Sequence, residues 1–74
     1  MNDIGYLDIP FHGSEAETSI KTARTKEQLR YRLGYEQGAV AFHTKENNPR
    51  QVEFFQSAVN LINKRLKLRS LPDR

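Results

Sequence analysis

The stretch TKEQLRYRLGYEQGAVAFHTKENNP, residues 25–49, admits two readings. It is either two short helices joined by a tight turn at Gly34, or one long helix that carries Gly34 and Gly38 in its interior. Thr25 followed three residues later by Gln28 is a capping-box pattern that starts a helix at Lys26. Asn47, Asn48 and Pro49 form a turn signal, because Asn tolerates left-handed backbone and Pro suits the first turn of a following helix. Between these limits the glycines decide. Glycine enters left-handed geometry without steric cost, so Gly34 is a natural helix end. Kept inside a helix, each glycine costs roughly 0.5 to 1 kcal/mol relative to alanine.

Downstream of Pro49, Val52, Phe55, Val59, Ile62 and Leu66 follow spacings of 3, 4, 3 and 4, which is one stripe on a helix. Phe54, Ala58, Leu61 and Leu68 widen that stripe, so the helix has apolar surface for its own core and for part of a dimer seam. Upstream, Ser14 and Glu17 repeat the capping pattern and open a weak helix through about Arg24, with Ala16, Ile20 and Ala23 to bury. Residues 1–13 alternate at Ile4, Tyr6 and Ile9 but are interrupted by Gly5 and Pro10, and read as an extended arm. The expectation is a single all-α domain over residues 1–74. It comprises an arm (1–13), a three-helix core (14–69) and an exposed tail (70–74); the alternative is a helical hairpin that forms a dimer.

A chain of 74 residues buries barely enough apolar surface to offset the entropy of ordering it, so a homodimer is expected. The absence of cysteine excludes disulfides and thiolate zinc sites. No apolar run approaches the roughly 20 residues a bilayer requires, and nothing resembles a leader, so no membrane association and a cytoplasmic location are expected. The net charge of +3 is uneven: Lys64, Arg65, Lys67, Arg69 and Arg74 stand against Asp73 alone near the C-terminus. Such a tail suits phosphates or an acidic protein surface, and cations there also complement the helix dipole. Chemistry has little to work with. His12 and His43 lack the i, i+4 companions of a metal face, and GYEQG lacks the Lys-Ser/Thr of a phosphate loop. No enzyme activity, cofactor or metal is expected.

Read as two helices, 25–33 and 36–44, the stretch turns over Gly34 to Glu36, the last of these opening the second helix, a turn of the length used in helix-turn-helix units, with Leu29, Leu33 and Val40 facing the core. TKEQL, RLG and QGAV, followed by NNP and an apolar helix, resemble the Cro/CI-type helix-turn-helix repressors over residues 25–62. The resemblance implies a regulator that binds duplex DNA as a dimer. By position, Glu36, Gln37, Gly38, Ala41, Phe42 and Lys45 would face the groove. Gln37 would meet an adenine edge and Phe42 a thymine methyl, while Lys26, Arg30 and Lys45 would sit near phosphates. The chain departs from that family at Arg30, where the family places Ala or Gly, at Tyr35, where it places an aliphatic residue, and at His43, where it places a large apolar one.

Read as one helix, residues 26–45 put Leu29, Leu33 and Val40 on one face and Tyr31, Tyr35, Gly38 and Phe42 on the other. Gly34 and Gly38 then form a flat patch that another helix can approach, and the aromatic face would bind a protein partner. Gly34, Tyr35 and Gly38, then Lys45, Glu46 and Pro49, resemble the ribosome modulation factor family, small bacterial hibernation proteins that are helical hairpins. That match takes a one-residue insertion, and Arg50 stands where the family has Tyr. The leading expectation is a Cro-like DNA-binding protein. The alternatives are a helical interaction module or inhibitor acting on a host protein, or a ribosome-binding or RNA-binding hairpin.

Overall fold

The computed structural model describes residues 10–74, which form three helices: α1 (Glu15–Lys21), α2 (Lys26–Lys45) and α3 (Pro49–Leu66). Residues 1–9 of the expected arm, with Ile4, Tyr6 and Ile9, lie outside the described residues. The fold is the small all-α arrangement expected, but residues 26–45 are a single helix of 20 residues. No break forms at Gly34, and Asn47, at φ 61°, is where the chain turns.

Local chemistry sets each boundary. Ser14 Oγ accepts from the Glu17 amide and Thr25 Oγ1 from the Gln28 amide, at 3.2 and 3.1 Å. In both boxes the third helical side chain reaches back beyond the cap: Glu17 accepts from the Gly13 amide, and Gln28 from the Arg24 amide. At the far end of α2, the Asn48 amide donates to the His43 carbonyl and the Asn47 amide to the Thr44 carbonyl, before Pro49 opens α3. The three residues between α2 and α3 fold the two helices into an antiparallel hairpin. α1 is shorter than expected and ends at Lys21. Carbonyls at and just beyond its end are held from across the molecule, where Arg65 Nη1 donates to Ile20 O and Ala23 O at 2.7 and 3.0 Å.

The core is Phe11, Ile20, Leu29, Ala58 and Ile62, with Ala16, Leu33, Phe54, Leu61, Leu66 and Leu71 packed around it. Two parts of it were hidden in the sequence. Phe11, just before α1, is buried and meets Phe54 edge to face at 5.5 Å. The tail is not simply exposed: Leu71 packs on the core, and the carbonyls of Pro72 and Asp73 accept from the Lys26 and Glu27 amides, each at 2.8 Å. The returning chain thus satisfies two of the orphan N–H groups at the start of α2, and Arg30 fastens it further through Asp73 at 3.4 Å.

Candidate docking face

With about 100° of turn per residue, Leu29, Leu33, Glu36, Val40 and His43 fall on one side of α2. These positions are buried or half-buried. Leu29 is fully covered, Leu33 packs on the core, and His43 stacks on Phe55 of α3 with ring centroids 5.3 Å apart. Glu36 also lies on this side, only 1% exposed. Its Oε2 accepts from Arg32 Nε at 2.9 Å, and Arg32 Nη1 continues to Ser19 Oγ of α1 at 2.7 Å. Among the described residues, Glu36 Oε1 has no hydrogen-bond partner. The placement of Glu36 in a DNA groove, carried over from the repressors, is therefore corrected: it is an inward residue of a continuous helix.

The opposite side of α2 is open. Tyr31, Tyr35 and Phe42 are 86%, 68% and 58% exposed. With Gly38 they repeat at spacings of 4, 3 and 4, which keeps them on one seam. Gly34 and Gly38 lie beside the aromatic rings, and a Cβ built on either would meet nothing within 4 Å. Packing among the described residues therefore does not explain their small size.

The residues singled out for DNA contact, Lys26, Arg30, Gln37, Gly38, Ala41, Phe42 and Lys45, do share the solvent side of α2, with Lys26 half-buried. They are strung along one straight element, however, and not divided between a supporting helix and a recognition helix. Glu27 stands among them. The stripe assigned to core and dimer seam faces inward: Val59 and Ile62 are buried, Leu66 packs on the core, and Val52 and Phe55 are half-buried. Beside the open side of α2, a groove lies against α1 with Ile20, Ala23 and Leu29 among its lining and Tyr31 and Tyr35 included in it.

His12 and His43 are engaged locally, His12 with Glu17 at 3.1 Å and His43 with Asn48 at 3.2 Å. Glu17 is held well below the usual carboxylate range, at a pKa of about 2, first by the Gly13 amide it accepts from and then by His12. Among the described residues, no three His, Asp or Glu side chains group as metal ligands, and no helix is long and apolar enough to cross a membrane. Comparison with protein families, with curated proteins and with solved structures finds no match for this chain.

Proposed function

We propose that this protein is a small non-enzymatic interaction module that binds a protein partner through the solvent side of α2. The observation that carries this reading is the seam of Tyr31, Tyr35 and Phe42, left exposed on a helix whose other side supplies the core. Single exposed apolar residues are ordinary on a soluble protein, but an aligned set of large aromatics is the composition of a contact surface. The open glycines support it, because they let a second helix approach the α2 backbone closely.

The Cro-like alternative needs two helices crossing at roughly 90–120°, and residues 25–45 supply one rod. Aromatic rings beside cations can also stack on single-stranded nucleic acid. The experiment therefore has to separate protein from nucleic acid. A photo-crosslinking amino acid placed at position 35 in cells making the protein should give an adduct that survives nuclease and is destroyed by protease. A nuclease-sensitive adduct would refute the reading in favour of the nucleic-acid alternatives.

A further inference from the structure

We infer that the occupant of this face is a second copy of the same chain, docked with its α2 antiparallel to the first. The inference rests on the reading of the α2 face as a protein-binding surface and names its partner.

The α2 face is self-complementary. The seam Tyr31, Tyr35, Gly38, Phe42 is roughly palindromic in size about a point midway between Tyr35 and Gly38. A two-fold axis at that point places Tyr35 of each copy over Gly38 of the other, and Tyr31 of each beside Phe42 of the other. The large ring enters the gap left by the missing side chain, where a Cβ would meet nothing within 4 Å among the described residues. A parallel arrangement would set Tyr35 against Tyr35 and leave the two glycines facing an unfilled space, which forfeits packing.

Charge selects the same arrangement. Glu27 and Lys45 are 18 residues apart, five whole turns, so they lie on the same flank of the seam about 27 Å from one another. Neither has an ion pair within its own chain among the described residues. An antiparallel axis between Tyr35 and Gly38 brings Glu27 of one copy to within about one helical rise of Lys45 of the other, and does so twice. A parallel pair would set Glu27 of each copy against the opposite flank of the other's seam, with Lys45 about 27 Å along the axis and out of reach.

The available area is adequate. Full burial of an aromatic side chain covers roughly 150–250 Å², so at exposures of 86%, 68% and 58% the three rings still hold about 400 Å² in each copy. That is about 800 Å² for the pair. Close approach at Gly34, Gly38 and Ala41 adds backbone surface, which places the pair toward the low end of specific interfaces, where roughly 1,200 Å² marks the start of the standard size.

Sedimentation equilibrium of the whole chain over a wide concentration range tests this. The parent should form a dimer. Tyr35→Arg should weaken it by more than about tenfold while leaving helicity unchanged, because that ring is exposed in the single chain. Glu27→Lys should weaken it by about 2- to 30-fold, from two surface ion pairs, and Glu27→Lys with Lys45→Glu should restore the parent affinity. A monomer at every concentration, or a dimer indifferent to Tyr35→Arg and to the charge exchange, overturns the inference. The crosslink at position 35 separates the two levels of the argument. An adduct at twice the chain mass supports the second copy, an adduct with a different protein overturns the second copy but keeps the docking face, and a nucleic-acid adduct overturns both.

Discussion

Replacing Gly34 by alanine tests the feature on which the fold turns. In a continuous helix, alanine is favoured over glycine by about 0.8 to 1.0 kcal/mol, because it loses less backbone freedom on folding. That gain survives only if the added methyl meets no obstacle, and at Gly34 nothing lies within 4 Å. Gly38 meets the same two conditions, so Gly34→Ala with Gly38→Ala should raise the unfolding free energy by about 2 kcal/mol, because the backbone preference acts residue by residue. For a domain of this size, that is a rise in Tm of roughly 8 to 16 °C. The measurement is urea unfolding followed by far-UV circular dichroism, taken to the dilute limit so that self-association does not contribute. If Gly34 instead ended a helix in left-handed geometry, alanine there would cost about 1 kcal/mol or more. A fall in stability for Gly34→Ala would therefore refute the single-helix account.

Three further outcomes follow from the packing and the caps. Leu29→Ala empties a fully buried position and should cost about 3 to 5 kcal/mol, enough to abolish the cooperative melt of so small a domain. Leu71→Ala should cost about 1 kcal/mol, in keeping with partial burial, and should speed hydrogen exchange at the Lys26 and Glu27 amides, which the returning tail covers. Glu17 titrates near 2 in the folded chain against 4.5 as its ordinary value, so its contribution is complete above about pH 4.5 and lost as the pH falls toward 2. Urea titrations of the parent and of Glu17→Gln should accordingly differ by a constant amount near neutrality and converge near pH 2.

The helical character of the chain was legible because its signals are local. Both capping boxes, the turn at Asn47 to Pro49 and the stripe from Val52 to Leu66 each depend on residues within a few positions of one another, and the structure forms all of them. What sequence could not supply were the distant decisions. Glu36 reads as a surface residue, and only its pairing with Arg32 on the inner side of α2 lets it be buried. Phe11 and Leu71 sit in segments with no periodicity, so nothing local marks them as core. The open or closed state of α2 at Gly34 was undecidable for the same reason: the local preference for a break is about 1 kcal/mol, and the inner stripe of Leu29, Leu33, Val40 and His43 against α3 outweighs it once the hairpin forms.

That balance bears on why the glycines are there. A residue that lowers stability and whose added methyl would meet nothing within 4 Å among the described residues is not explained by the packing of those residues. On the reading of α2 as a docking face, its small size serves a contact outside the chain. On the antiparallel pairing, Gly38 makes room for Tyr35 of the second copy, so the same alanine that stabilises the monomer should obstruct the dimer. Stability and self-association of Gly38→Ala should therefore move in opposite directions. A variant that gained stability and still associated as tightly as the parent would show that the gap at Gly38 is not where a partner's ring sits, and would require the seam to be engaged in another register.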